Sequence, residues 1–398
     1  MSKTVLKIVY NPWGGSSRDR RELAICEELG AKTVVMIKGE NGDKGRYEKT
    51  HGFDAYYYDK RPLGCSKFAL WGPVRKLNTF LAFFWWAKKA RSFKPDIISG
   101  HDYPALLIGW LSTLFMRRKN KPALVYDSHE YELGRSKKRS KFQLWWVKRI
   151  EGFLIKRCAF SIIPNDDIAD KLAEMYHVKR PVVAKNIPVY WHLDEGEMKK
   201  QHDAYCDALS VPHDSFIMMF HGGILAGRGI EQMMRISVQT GIPLVLLGDP
   251  TDDSYYAGLK DYAKQLGSEH LILFHPAAPY EILWKYVGAA DLGTVVAPGT
   301  HESYYHMLPN KFFENIQSLV PVIVSDFPDI GAIVDKYDIG LRVDPEDEEA
   351  ITQAVLRMRD DKELYAKCKE GLLQAKEELC WENEKNELYE AYKRIIRD

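Results

Sequence analysis

The sequence predicts an α/β protein with two tandem doubly wound Rossmann-like domains that face a cleft. The length of 398 residues is sufficient for two domains. Two series of short apolar segments alternate with helical segments, and a polar stretch at residues 191–212 separates the series. Apolar strands that alternate with helices are typical of parallel sheets covered on both faces. We therefore predict one domain at residues 1–190, a linker at 191–212 and a second domain at 213–375.

The first series of predicted strands lies in the first domain. Each strand is short and apolar, and a helical segment, Asp19–Leu29, follows the first strand after a Gly/Ser turn. The predicted strands are Lys7–Asn11, Lys32–Ile37, Ala55–Tyr58, Pro95–Gly100, Ala123–Asp127, Ser161–Pro164 and Val182–Ala184.

The second series begins after the linker, with helical segments such as Ile230–Thr240 and Pro279–Val287 between its strands. Residues 347–396 are predicted to be helical because they are rich in Glu, Lys and Ala. In open α/β sheets, ligands bind at the carboxyl ends of the strands, so we expect the site there. The predicted strands are Phe216–His221, Pro243–Gly248, Leu271–His275, Leu292–Ala297, Pro321–Ser325 and Gly340–Val343.

Composition excludes several classes of protein. Hydrophobic residues make up 45% and charged residues 28% of the chain, as in a soluble globular protein. The longest apolar run, Ala105–Met116, is shorter than the roughly 20 residues that span a bilayer, and the chain does not start with a secretory signal pattern. The six cysteines form no CxxC pair, which argues against a zinc site or a disulfide framework. We expect a cytoplasmic protein with reduced thiols.

Charge is distributed unevenly along the chain. The first 190 residues carry a net charge of +17 and the remaining residues carry −16. The segments Leu77–Arg91 and Lys141–Arg157 place Phe and Trp beside Lys and Arg, and Arg135–Arg139 adds four cations. Such segments suit an anionic membrane surface, although nucleic acid or ordinary core packing of the aromatic residues would also be compatible. We favour the membrane, at residues 77–157, and expect a peripheral protein of the inner face of the cytoplasmic membrane.

A glycine-rich loop follows the first strand of each domain. The first loop contains Gly14 and Gly15, and is either a tight turn or a phosphate contact. The second contains Gly222, Gly223 and Arg228, and favours a diphosphate because backbone amides and a guanidinium bind phosphate oxygens. Neither loop has the GxGxxG or GxxxxGK[ST] spacing, so neither predicts a nicotinamide dinucleotide site or an NTPase P-loop.

A lysine and a glutamate are expected on one helix face after the predicted strand Leu292–Ala297. Lys311 and Glu314 are three residues apart, near the start of a predicted helix. In this position a lysine can bind phosphate while a carboxylate accepts hydrogen bonds from ribose hydroxyls. An ordinary surface salt bridge is the alternative.

Two histidines follow predicted strands of the first domain. His101 comes after the strand at Pro95–Gly100, and His129 after the strand at Ala123–Asp127. A histidine beside a cleft can accept a proton or bind a sugar hydroxyl, although a structural role is the alternative for each.

Taken in order, these segments resemble a GT-B glycosyltransferase of the retaining family 4 over nearly the whole chain. Gly14 and Gly15 resemble the first glycine loop of that family, and Val125–Glu130 resembles a run that is common in its bacterial members. Asn186–Pro188 resembles the motif that ends the N-terminal domain. The most specific match is Leu308–Glu314, followed by Pro-Val-Ile.

The resemblance implies a role for each of these residues. Arg228 and Lys311 would neutralise the diphosphate of the donor, and Glu314 would hold its ribose. The backbone around Leu308, Pro309 and Asn310 would face the donor, as would the four glycines of the two loops. His129 would line the acceptor side, and a terminal helix at residues 376–398 would return to the first domain.

The sequence departs from the family pattern at two positions. His306 stands where the family has the first glutamate of a pair spaced by eight residues, and becomes a third candidate catalytic histidine beside His101 and His129. Gly223 stands where the family has an arginine.

The resemblance implies transfer of a sugar from a nucleotide-sugar, with UDP- or GDP-sugars expected, to a lipid-linked or polysaccharide acceptor in cell-surface glycan synthesis. No cofactor or metal is expected, since the chain contains no Asp-x-Asp. A retaining reaction would let the leaving phosphate accept the acceptor proton, whereas an inverting reaction would require His129 or His101 as the base. The alternatives are a degenerate GT-B protein that binds a glycan or a partner, and a sugar-nucleotide 2-epimerase.

Overall fold

The computed structural model describes residues 2–11, 17–39, 45–50, 52–59, 72–135, 139–299 and 302–397. The chain forms two compact units. The first is Met1–Lys185 together with Lys385–Asp398, and the second is Asn186–Glu384. Each unit contains a largely parallel sheet with helices, which confirms the predicted α/β class. Gly14 and Gly15 lie outside the described residues.

The sheet of the first unit has the strand order β3-β4-β2-β1-β5-β6-β7-β8. Adjacent strands are parallel except for β3, which pairs antiparallel with β4 at one edge. The strands are β1 Thr4–Val9, β2 Lys32–Lys38, β3 Arg46–Thr50, β4 Phe53–Tyr58, β5 Ile97–His101, β6 Ala123–Asp127, β7 Phe160–Ile163 and β8 Val182–Val183.

Helices cover both faces of this sheet. One core contains Trp86, Leu106 and Leu154, so the second, third and fourth helices pack on the same face. A smaller core on the other face contains Leu23 of the first helix and Val35 of β2. The helices are α1 Ser17–Glu28, α2 Gly72–Ser92, α3 Asp102–Ser112, α4 Lys141–Ile155 and α5 Asp166–Tyr176, with short 3-10 turns at Arg118–Asn120 and Glu132–Gly134.

The sheet of the second unit is entirely parallel, with the order β11-β10-β9-β12-β13-β14. Its central strands are buried along their whole length and are mostly apolar, as expected for a sheet covered on both faces. The strands are β9 Met218–His221, β10 Leu244–Leu247, β11 Ile272–His275, β12 Leu292–Val295, β13 Val322–Ser325 and β14 Gly340–Val343.

Aspartates begin several helices of this unit. Asp194, Asp347 and Asp361 each accept a hydrogen bond from a backbone N–H of the following turn, which satisfies a donor that the helix itself cannot. The helices are α6 Glu195–Leu209, α7 Ile230–Thr240, α8 Asp253–Gln265, α9 Leu283–Val287, α10 Glu302–Tyr305, α11 Asn310–Gln317, α12 Pro328–Tyr337, α13 Glu348–Asp360, α14 Lys362–Glu378 and α15 Trp381–Glu384, with a 3-10 turn at Tyr280–Ile282.

The last helix, α16 (Asn386–Arg397), belongs to the first unit. It packs against α1, and its Tyr392 is fully buried and donates a hydrogen bond to Glu22 of that helix. Among the helices of the described chain, none combines the length and apolar character needed to cross a bilayer.

Candidate active site

In the second unit, the glycine-rich loop leaves the carboxyl end of β9 and leads into α7. Gly222 adopts φ +113° and Gly229 adopts φ +74°, both in the region that favours glycine. A Cβ on Gly229 would also lie 2.6 Å from the carbonyl oxygen of Val296. The loop therefore needs glycine to hold Arg228 directly before the start of α7.

Lys311 on α11 is a buried cation. Its Nζ lies 3.8 Å from the centre of the Phe220 ring and donates a hydrogen bond to no group among the described residues. Burial lowers the pKa of Lys311, and Arg228 lowers it further, to about 7, although Glu314 acts in the opposite direction. The Nε of Arg228 is also buried without a partner among the described residues. Two cations close enough to repel each other, each with an unused donor, form a site suited to a polyanion.

Glu314 lies one turn after Lys311 on α11. Its Oε2 is 3.1 Å from Nε2 of His221, the last residue of β9, and both side chains are buried. Leu308 packs in the core beside α11, while Pro309 and Asn310 form the start of that helix. The structure therefore brings together Arg228, Lys311 and Glu314, which were predicted from two separate motifs to bind phosphate and ribose. His221 was not among the predicted site residues, although its place at a strand end was a usable signal.

His306 follows α10, and its Nδ1 lies 3.3 Å from Oδ2 of Asp329. Its side chain is about one-fifth exposed. The structure thus gives His306 an acidic neighbour, and its predicted catalytic role remains a prediction.

In the first unit, His101 and His129 lie against each other at the carboxyl ends of β5 and β6. Their ring centroids are 3.6 Å apart and the rings are nearly parallel. His101 Nδ1 is 3.0 Å from Asp19 Oδ2, and His129 Nε2 is 3.0 Å from Asp127 Oδ2. The two predicted histidines are therefore adjacent, and Asp19 lies against both of them.

These carboxylates surround a fully buried lysine in the middle of β1. Lys7 Nζ lies 2.5 Å from Asp127 Oδ2, 2.5 Å from Glu22 Oε2 and 3.0 Å from Asp19 Oδ1. Burial opposes the charged form of Lys7, but the carboxylates, led by Asp127, outweigh it and raise its pKa. The sequence did not predict Lys7, Asp19 or Glu22 as site residues.

The carboxylates also control the charge of His129. Burial and the nearby Arg18 oppose its protonation, but Asp127 and Asp19 overcome them and raise its pKa to about 9. Burial also opposes ionisation of Asp19, yet Lys7 and His129 hold the pKa of this carboxyl well below its usual range. His129 is therefore an imidazolium at neutral pH, and can donate hydrogen bonds but cannot accept a proton.

The four groups Asp19, His101, Asp127 and His129 offer ligand atoms that all lie within 4.8 Å of one another. This is a donor set that divalent transition metals accept. However, Lys7 already places its ammonium against both aspartates, so the protein supplies a positive charge of its own there. A metal ion would have to compete with that ammonium and with the proton on His129.

Comparison with known proteins identifies the family. Residues 26–186 match the family model Glycosyltransferase Family 4, and residues 211–372 match the model Glycosyl transferases group 1. Together the two matches cover about four fifths of the chain. No curated protein matches the sequence.

Solved structures match over the full length. Sucrose-phosphate synthase from Thermosynechococcus elongatus has a TM-score of 0.72 and 15% identity, covering 99% of both chains. HepE from Anabaena in complex with UDP-glucose has a TM-score of 0.69 and 13% identity, covering 99% of this chain and 98% of that chain. The catalytic domain of starch synthase IV from Arabidopsis thaliana, bound to ADP and acarbose, has a TM-score of 0.68 and 12% identity, covering 100% of both chains.

These identities are low, so the structural likeness shows the fold, and the family models show the family. The family models favour a transferase over the degenerate binding protein and the epimerase that the sequence left open. The chain belongs to the GT-B glycosyltransferases of family 4.

Proposed function

We propose that this enzyme transfers a sugar from a UDP- or GDP-sugar to a lipid-linked or polysaccharide acceptor, at the inner face of the cytoplasmic membrane, in cell-surface glycan synthesis. The observation that carries the donor half of this proposal is the buried amine of Lys311, which has no hydrogen-bond partner among the described residues. Matching structures contain UDP, UDP-glucose or ADP, which supports a nucleotide-sugar donor.

The donor diphosphate is proposed to bind between Arg228 and Lys311. Departure of the nucleotide leaves negative charge on the diphosphate, and preorganised cations in a dry site stabilise that charge strongly. The diphosphate would also raise the lowered pKa of Lys311, because it supplies the counter-charge that is missing. Glu314 is proposed to accept the ribose hydroxyls, with His221 fixing the orientation of its carboxylate.

The transfer is proposed to be retaining and independent of a metal. Arg228 and Lys311 would supply positive charge at the leaving group, as a bound metal ion does in other enzymes.

In a retaining reaction the leaving phosphate accepts the proton of the acceptor hydroxyl. The raised pKa of His129 supports this route, since an imidazolium at neutral pH is not available as the base that inversion requires. His129 would instead donate a hydrogen bond to the acceptor, beside His101.

The acceptor half of the proposal depends on the surface of the first unit. One face of α4 packs in the core, and α4 also carries a row of exposed aromatic side chains at helical spacing. In residues 141–157 the single acidic side chain, Glu151, is buried, whereas the basic residues are exposed. The exposed row consists of Phe142, Trp145, Trp146 and Phe153, with exposed fractions of 41–68%.

A second row of this kind lies on α2, which packs on the same face of the sheet. The segment 72–92 contains no acidic residue. Phe115, in the turn that follows α3, is fully exposed. Exposed aromatic residues beside cations favour the interface of an anionic membrane. The exposed apolar side chains of α2 are Leu77, Phe80, Phe84 and Trp85.

Calorimetric titration tests the donor half. UDP, GDP, CMP, dTDP and ADP, and then their common sugars, are titrated into the wild type and into Lys311→Met. We expect one nucleotide to bind, and Lys311→Met to weaken its binding by about tenfold to a hundredfold, as for loss of a charge-assisted bond to phosphate.

The control for this titration is Lys264→Met, which removes an exposed lysine of α8 in the same unit. It is expected to bind the nucleotide like the wild type. If no nucleotide binds the wild type, or if both variants bind equally well, the proposed donor site is wrong.

A further inference from the structure

The last two residues of β9 contact the two functional side chains of α11. The centre of the Phe220 ring lies 3.8 Å from Nζ of Lys311, and Nε2 of His221 lies 3.1 Å from Oε2 of Glu314. We propose that Phe220 is a positioning residue, whose ring face holds the Lys311 ammonium in place and charged before the donor diphosphate binds. This inference rests on the proposed function and names a further residue on which donor binding depends.

The ring of Phe220 is fixed before any ligand binds. Phe220 is buried in the core cluster that also contains Ile230 of α7 and Leu292 of β12. Its strand, β9, pairs with β10 on one side and with β12 on the other, so it is held from both edges. Because side chains in such a core are closely packed, the ring keeps one orientation. The place of the Lys311 amine is therefore defined by α11 and by this ring together.

The surroundings of Lys311 act on its ammonium in opposite directions. Burial lowers its pKa most, and Arg228, in the loop before α7, lowers it further, to about 7. Glu314 favours the charged form, although its carboxylate is also in contact with His221. Within the part of the chain that the structure describes, Nζ of Lys311 donates no hydrogen bond. The face of Phe220 therefore supports the charge, because the negative face of an aromatic ring attracts a desolvated cation.

An aromatic ring suits this position better than a carboxylate would. A carboxylate in contact with Lys311 would stabilise the ammonium, but it would also repel the incoming diphosphate. The ring face attracts the cation without adding a net charge, and leaves the N–H groups of the ammonium to donate to phosphate oxygens. Donor binding at neutral pH then includes protonation of those molecules in which Lys311 is neutral. Phe220 lowers the free-energy cost of this step, because it stabilises the charged amine.

The test is calorimetric titration of the wild type and of Phe220→Leu with UDP, or with GDP if UDP does not bind, at about pH 6 and about pH 8. Loss of the ring face lowers the pKa of Lys311, so fewer molecules carry the ammonium at the higher pH. We expect Phe220→Leu to bind about tenfold more weakly than the wild type at about pH 8, but only about twofold more weakly at about pH 6. A role of the ring in packing alone would give the same ratio at both pH values.

Two further proteins separate the ring face from the ring volume. A trifluorinated phenylalanine in place of Phe220 keeps the ring nearly the same size but withdraws charge from its face, so it should reproduce the pH-dependent loss. Phe216→Leu, before the other end of β9, removes a ring that lies beside Tyr365 and should bind like the wild type at both pH values.

The inference and the donor site fail in different ways. If the wild type binds the nucleotide and its ratio to both Phe220 variants does not change with pH, the inference is wrong and the proposed donor site is unaffected. If neither nucleotide binds the wild type, the donor site itself is wrong, and the role of Phe220 is wrong with it.

Discussion

Glu314 is the residue whose loss should affect the reaction most clearly. Its carboxylate is buried and lies 3.1 Å from His221, so its position is fixed before the donor binds. We expect Glu314→Ala to reduce turnover by at least about a hundredfold, because a preorganised group in a dry site contributes strongly to the transition state. Initial rates of sugar transfer or of donor hydrolysis measure this effect. Near-normal turnover, with Glu349→Ala at an exposed position of α13 as the surface control, would contradict the assignment of Glu314 to the donor site.

His129 should make the stability of the first unit depend on pH. Its pKa is about 9 in the folded protein, against about 6.5 in an unfolded chain, so the folded state binds the proton more tightly. The stabilisation is fully present below pH of about 6.5 and is lost as the pH rises towards about 9, with a total of about 3 kcal/mol.

Urea unfolding of the wild type and of His129→Asn, at pH values across this interval, measures the difference in the free energy of unfolding. The difference is expected to shrink as the pH rises. His270→Asn, an exposed position in the second unit, is the control. A difference that does not change with pH would show that His129 is neutral in the folded protein.

At the residue scale, the sequence predicted part of each site. His101 ends β5 and His129 lies shortly after β6, and these strands are neighbours in the sheet, so the proximity of the two histidines follows from strand order. Lys7 was not predicted, because a lysine within a strand ordinarily points to solvent, and its partners Glu22 and Asp127 are 15 and 120 residues away. Only the folded sheet shows that this lysine is buried among carboxylates.

At the scale of elements, apolar patterning predicted the strands of both sheets except β3. That strand, with the sequence RYEKT, is exposed along most of its length and pairs with one neighbour at the sheet edge. Alternation of apolar and polar residues predicts a strand with one buried face, so it cannot predict a strand in which both faces are exposed. The helix α11 was correctly predicted near Lys311, because its start follows Pro309 and its apolar residues recur at helical spacing.

The helix α16 should depend on one buried hydrogen bond. Tyr392 is fully buried and donates to Glu22, which in turn accepts from Lys7 and Ser99. Tyr392→Phe would leave a buried carboxylate with one donor fewer, so we expect a loss of about 1–3 kcal/mol in the free energy of unfolding. Urea unfolding measures it, with Tyr389→Phe on the same helix as the control. An equal effect of the two substitutions would show that the buried bond contributes nothing particular.

At the scale of the whole molecule, charge should govern association with membranes. The first 190 residues carry a net charge of +17, and the exposed aromatic rows of α2 and α4 lie within them. We expect the wild type to float with vesicles that contain phosphatidylserine, and to release them at high ionic strength, because attraction between exposed charges is screened by salt. Neutral vesicles of phosphatidylcholine should retain much less protein.

Substitutions separate the aromatic rows from the charge. Phe142→Ala combined with Trp145→Ala removes two exposed anchors of α4 and should reduce flotation by about tenfold or more, since each anchor loses its apolar contact with the membrane. Ile282→Ala combined with Leu373→Ala removes two exposed apolar side chains of the second unit and should leave flotation unchanged. If both double variants float equally well, the exposed aromatic row of α4 does not bind the membrane. If the wild type binds neutral vesicles as strongly as anionic ones, charge does not govern the association. Flotation that is reduced only by the first pair of substitutions would place a membrane-binding surface of this enzyme on the basic aromatic face of α4.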